Sequence, residues 1–261
     1  MLLIQGAVFA DAAKLQPANI HIDVDQEDDA ALFVVGNTLF AVYHELAHAL
    51  IDLLELPVIG REEDAADGFA AVMMIPPTAD PIRDELIIAV ADGWRLQGKQ
   101  ADTSPLWGEH ALDEQRYFSV ICWMVGSDQD GFFDFAIEAG MPPRRIETCA
   151  ADFERMKASW QDLLEAHLID EAAPQQDGLG QIKVVFDQPS SRDSEPFDWV
   201  REGRAIERSV LAFGERIVLP APITVRFRSC DDANAFWYGD RGEVLICYGL
   251  VDDFLAVLLG E

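Results

Sequence analysis

Between Ala30 and Leu56 the chain runs almost wholly apolar, yet Asn37, Thr38, His44, Glu45, His48, Asp52 and Glu55 interrupt it. A membrane-spanning helix does not carry that many polar groups, so the stretch reads as a helix buried in the core of a folded domain. The rest of the chain must then pack around it, and its polar groups must find partners inside the fold. Three of them form His44-Glu45-x-x-His48. Helical residues four apart project from one face about a turn apart, so both imidazoles can reach one metal ion. Glu45 is rotated roughly 100° from His44, near enough to take a proton from water at the metal without being a ligand. Gly36, in the same helix, costs about 1 kcal/mol against Ala and suits a close helix approach.

His-Glu-x-x-His alone recurs in helices by chance; the next stretch adds what it lacks. Leu56-Pro57 stops the helix, Gly60 marks a tight turn, and Arg61-Glu62-Glu63-Asp64 opens a second helix over Ala65–Met74. Acidic residues in a first turn are favoured by the helix dipole, which by itself accounts for Glu62, Glu63 and Asp64. Glu63 and Asp67 are, however, again four apart. Glu63 is positioned to give a third, oxygen ligand, and Asp67 to accept the remaining N–H of a ligating histidine. The two stretches together point to a zinc site built from His44, His48 and Glu63.

The run from His44 to Ala70, HELAHALIDLLELPVIGREEDAADGFA, resembles a bacterial family catalogued as "putative metallopeptidase" under a domain-of-unknown-function label. Its spacing is also similar to that of zincin peptidases in which Glu-x-x-Ala-Asp or Glu-x-x-Ala-Asn follows the first motif. The resemblance extends to Leu106–Tyr117, the run to Cys122, the helix from Cys149 to Trp160, Cys230–Phe236 and Glu243–Tyr248. It implies an α+β, zincin-like metallopeptidase, mostly helical with a small sheet, with His44, His48 and Glu63 as ligands and Glu45 as general base. In relatives the strand pair around the second cysteine pair precedes the zinc helix, whereas here it follows. That order implies a circular permutation or a truncated second copy. If permuted, Glu243–Tyr248 packs near His44 and borders the cleft, where an extended peptide can add as a strand.

Composition narrows the partners. Nineteen basic residues against 47 acidic ones leave a formal net charge of -28, which argues against nucleic acid and anionic membrane surfaces. Peptide or protein substrates fit, neutral or cationic ones best. At 261 residues and 50% hydrophobic the chain can bury a substantial core. The apolar first ten residues lack a basic segment and read either as a strand or as a clipped export signal. The four cysteines, Cys122, Cys149, Cys230 and Cys247, include no Cys-x-x-Cys. They are either four buried thiols or two disulfides between sequence neighbours, and three pairings exist in principle. The exported look of the relatives favours disulfides and a periplasmic or secreted location over the cytoplasm.

Along the chain, Asn19–Asp25 alternates like a half-exposed strand, with His21 on its polar phase. Pro81 suits a first helical turn, and Leu86, Ile87, Val90 and Trp94 recur at core spacing. His110, Arg116 and Tyr117 fall close together, and any of them could stabilise an oxyanion; His110 is taken as the second catalytic residue. Ordinary roles also exist: His110 capping a loop, Arg116 paired with an acid, Tyr117 packed. A long amphipathic helix runs from Pro142-Pro143 to His167. Asp170–Leu179 has linker composition, dividing the chain into a zinc-binding core (1–170) and an α/β segment (171–261) that packs on it. In that segment a strand over Gln181–Phe186 and a helix over Phe197–Glu215 precede strands Ile223–Arg228 and Glu243–Tyr248, read as a hairpin joined by Asn234–Gly242. The rival to a peptidase is a non-catalytic, zinc-stabilised binding or regulatory module.

Overall fold

A computed structural model describes residues 29–77, 80–100, 106–169, 181–190, 194–202 and 204–260. The strand expected over 19–25, with His21, and the linker over 170–179 lie outside them. The described elements are α1 (Asp29–Leu53), α2 (Glu62–Met74), α3 (Pro81–Gln100), α4 (Asp113–Ser127), α5 (Gln129–Glu138) and α6 (Pro143–Leu164). They continue with β1 (Ile182–Phe186), α7 (Ser194–Glu202), α8 (Ala205–Gly214), β2 (Ile223–Arg228), β3 (Ala235–Tyr238), β4 (Glu243–Cys247) and α9 (Tyr248–Leu259). The fold is α+β, mostly helical with one small mixed sheet.

Helix α1 is the axis. It is long and apolar enough to cross a membrane, but 83% of its most apolar window is buried inside the fold, as a core helix requires. It packs against α2 and α3 from the N-terminal part of the chain and against α7, α8, α9, β3 and β4 from the C-terminal part. One apolar cluster therefore runs from Val34 and Leu46 on α1 through Phe69 on α2 to Phe213, Val225 and Phe254 in the C-terminal part. Gly36 shows why a side chain is missing there: a Cβ would sit 2.7 Å from the Leu86 carbonyl oxygen of α3. The polar residues of α1 are satisfied internally. Thr38 donates to the Val34 carbonyl at 2.7 Å, and the Asn37 amide donates to Phe33 and Ala89 carbonyls at 2.9 and 3.0 Å. Disulfide Cys122–Cys149 joins α4 to α6, and Cys230–Cys247 joins the end of β4 to the loop before β3. Both are the neighbour pairings.

The C-terminal part departs from its sequence reading in three ways. The sheet has the order β1-β2-β4-β3, with β1, β2 and β4 parallel and only β3 antiparallel to β4. The two expected strands are thus not a hairpin with each other: Val225 pairs with Val244 in parallel register, and the hairpin partner of β4 is β3, through Trp237 opposite Val244. The supposed connection contains that edge strand. The helix expected over Phe197–Glu215 is broken in two, with Arg204 in the left-handed region at φ 49°. A residue with a Cβ is disfavoured there, and a continuous helix cannot pass through it. Finally, α9 follows β4 directly; its Val251 and Phe254 are buried.

Candidate metal centre

Helix α1 turns its chain over at Glu55, which takes the left-handed conformation (φ 52°) while the Leu56 N–H reaches back to the Ile51 carbonyl at 3.0 Å. Such an ending satisfies the last carbonyls and lets the chain leave sharply. Gly60 (φ 109°) completes the reversal, and α2 begins at Glu62. The reversal brings the first two turns of α2 back over His44 and His48.

There the donor atoms converge. His44 Nε2 lies 3.1 Å from His48 Nε2 and 3.0 Å from Glu63 Oε2, and His48 Nε2 lies 3.5 Å from the same oxygen. His110, on the loop before α4, places Nε2 2.8 Å from Glu63 Oε2, and its ring stacks on His44 with centroids 6.2 Å apart. The Glu45 carboxylate lies within 4.8 Å of ring nitrogens of both His44 and His48.

Outer partners fix the imidazoles. His44 Nδ1 is 2.8 Å from Asp67 Oδ1, which leaves Nε2 facing the other donors. Arg116 holds Asp67 with two hydrogen bonds, at 2.7 and 2.5 Å, and its guanidinium lies 3.5 Å over the Trp94 ring. His48 Nδ1 is 2.8 Å from Glu62 Oε1. On the other flank, the backbone N–H of Trp237 in β3 hydrogen-bonds Glu45, and its indole donates to Asp52 at 2.8 Å.

The electrostatics follow from burial and these contacts. Burial pushes the His44 imidazolium pKa down, but hydrogen bonds to Asp67 and Glu63 more than reverse it, leaving it raised. His48 behaves likewise: burial opposes its charge, yet Glu63 and Glu62 lift its pKa to about 9. Glu63 would be raised by burial, but donors from His110, His44 and His48 hold it well below the usual carboxylate range. Asp67 is likewise opposed by burial and held down by the Arg116 charge. Glu45 goes the other way, its pKa raised chiefly by burial.

Every residue singled out for the site thus comes to one place: His44, Glu45, His48, Glu63, Asp67 and His110. Arg116 and Tyr117 take ordinary roles, the first in the ion pair with Asp67 and the second packed beside Phe118 at 5.0 Å between centroids. The sequence reading missed Glu62 as the partner of His48, although a ligating histidine needs one. It placed Trp94 only among core positions and missed Trp237, which nothing local marks.

The donor set fits a metal ion. Four ligands at zinc–nitrogen or zinc–oxygen distances in a tetrahedron stand roughly 3.3 Å apart, and the His44, His48 and Glu63 donors stand 3.0 to 3.5 Å apart. Two facing imidazole nitrogens at 3.1 Å can share one proton between them; a cation satisfies both lone pairs at once. Beside His44 and Glu45 opens a cavity of about 420 Å³. Neither a curated protein nor a solved structure matches the chain. A family model described as "Putative metallopeptidase" (DUF4344) matches residues 10–164 and 187–259, spanning the helices that carry the candidate site and strands β2, β3 and β4 of the sheet that flanks it. The chain belongs to this family.

Proposed function

We propose that the protein is a zinc-dependent peptidase that hydrolyses peptide or protein substrates. The observation that carries this reading is the convergence of two imidazoles and one carboxylate at tetrahedral spacing, with Glu45 alongside. His44, His48 and Glu63 would hold the ion; an all-nitrogen-and-oxygen set with no thiolate suits zinc in a catalytic, incompletely ligated site. Zinc bound there supplies Lewis-acid polarisation of the scissile carbonyl and lowers the pKa of water at the site. Glu45, its carboxyl made more basic by burial, takes the proton from that water and hands it to the leaving amine. Asp67 fixes the tautomer of His44, and Arg116 keeps Asp67 ionised. His110, half-exposed on its loop, donates to the developing oxyanion once substrate displaces it from Glu63.

The substrate enters between α1 and β3. That strand is at the edge of the sheet, and its Trp237 N–H points at Glu45, so an extended peptide can lie along β3 by strand addition. This role falls to β3, not to Glu243–Tyr248, to which a permuted chain would give it; β4 lies one strand further in. The two disulfides favour an oxidising compartment, periplasmic or extracellular.

The test is a peptide-cleavage screen of the zinc-loaded chain with and without chelator, alongside Glu45→Gln. Cleavage abolished by both chelator and Glu45→Gln supports the reading. Equal turnover by wild type and Glu45→Gln, or none by a fully metal-loaded wild type, would point instead to a zinc-stabilised binding module.

A further inference from the structure

The cavity beside Glu45 does more than admit water. Phe40 and Ala41 stand one helical turn before His44 and Glu45, so they share the catalytic face of α1. Across from them stand Trp94 on α3 and Leu250 and Phe254 on α9. The Trp94 ring is packed by two neighbours, Arg116 over it at 3.5 Å and Phe40 edge-on at 6.3 Å. Phe40 and Phe254 are otherwise buried, so these walls are fixed by packing on the core. Arg116, the arginine in the lining, is committed to Asp67. At about 420 Å³ the space is within the range of pockets that enclose small ligands.

Resting on the peptidase reading, we infer that this cavity is the specificity pocket for a large apolar side chain, aromatic or long aliphatic, of the residue that supplies the leaving amine. The assignment to that residue follows from Glu45, which lines the cavity and delivers the proton to the amine. Ala41 is the residue whose size matters: it faces the cavity from α1, half-buried, where a larger side chain would fill the space. An acidic side chain would meet the Glu45 and Asp113 carboxylates that line the cavity, and is disfavoured.

Two readouts test this, the first of them independent of peptidase activity. The first uses binding of acetohydroxamate and 3-phenylpropionohydroxamate to the metal-loaded wild type, by calorimetry. Burying the phenyl group should tighten binding roughly tenfold or more over the acetyl compound. Ala41→Phe should erase that difference while acetohydroxamate binding persists, and Leu250→Asp, from a different element, should weaken the phenyl compound alone. Equal affinities in the wild type overturn the inference whether or not any peptide is cut. The second is a peptide library cleaved by the zinc-loaded chain and read by mass spectrometry of new N-termini. Phe, Tyr, Trp, Leu and Met should be enriched directly after the cut; enrichment of Lys and Arg, or none, overturns it. A retained phenyl preference in binding with no cleavage would sink the peptidase reading alone.

Discussion

The metal centre and the cleft wall that faces it are built in opposite ways. His44, Glu45, His48, Glu63 and Asp67 come from two consecutive helices joined by a tight reversal, so their geometry is almost wholly local. The wall opposite, β3 with Trp237 and α9 with Leu250 and Phe254, arrives from nearly two hundred residues downstream, through a mixed sheet in which β1, β2 and β4 are parallel and β3 is antiparallel to β4. On the proposed function, local geometry holds the chemistry in place and distant chain supplies the shape that selects what reaches it. If that division is right, lesions in the two regions should differ in kind.

The largest expected effect comes from removing the wall altogether. Ending the chain at Asp177 deletes the elements that cover one flank of α1, and buried residues such as Val34, Val35 and Leu50 belong to the cluster this would open. The fragment should aggregate or bind a hydrophobic dye and lose activity. A soluble, zinc-loaded 1–177 fragment with full turnover would show that the downstream elements are a bystander to the centre. Next is Glu45→Gln, which should keep zinc, as read by metal analysis, and lower turnover by about 10² to 10⁴, the usual worth of a positioned base. Asp67→Asn attacks the same region more gently. It should weaken zinc by roughly 10- to 100-fold while the fold persists, and a loss as large as that of His48→Ala would move Asp67 into the ligand set.

These contrasts also explain what the sequence disclosed. The His44/His48 and Glu63/Asp67 pairs are each four apart on a helix, so chemistry and geometry are written in the same few residues. The neighbour disulfides were open alternatives, settled by α4 lying against α6 and by the end of β4 lying beside the loop before β3. β3 was hidden because it is four residues long and flanked by Asp, Asn and Gly, which read as a loop. The parallel pairing of β2 with β4 depends on β3 occupying the edge, a fact no local pattern encodes. Arg116 reaches Asp67 across 49 positions, so its pairing with an acid was foreseeable but its partner was not.

Acid–base behaviour separates the empty centre from the filled one. In the metal-free chain the His48 pKa is lifted from 6.5 to about 9 by Glu63 and Glu62 against the opposing effect of burial. Because the folded value is the higher, this interaction stabilises fully below pH about 6.5 and is lost as pH rises through about 9. Metal binding requires the neutral imidazole, so zinc should tighten over the same interval and proton release should accompany loading. Melting followed from pH 6 to 10 should show this loss in chelator and not with saturating zinc. Superimposable profiles would mean that His48 is not a ligand.

The smallest effect expected is at the seam between the two regions. The Trp237 indole donates to Asp52 at 2.8 Å, joining β3 to the last turns of α1 beyond His48, and Gly239 leaves room for that carboxylate, since a Cβ there would sit 2.5 Å from it. Trp237→Phe keeps an aromatic ring and removes the donor, so its cost should be about 1 kcal/mol, the net worth of one such hydrogen bond, or roughly 2–4 °C in melting temperature for a chain of this size. Zinc affinity should not change, because the donors and their partners Asp67 and Glu62 all lie on α1, α2 and the loop before α4. Turnover should change through KM, since β3 is the strand along which the peptide is proposed to lie. A fall in zinc affinity with an unaltered KM would mean that the wall holds the centre together and does not select what enters it.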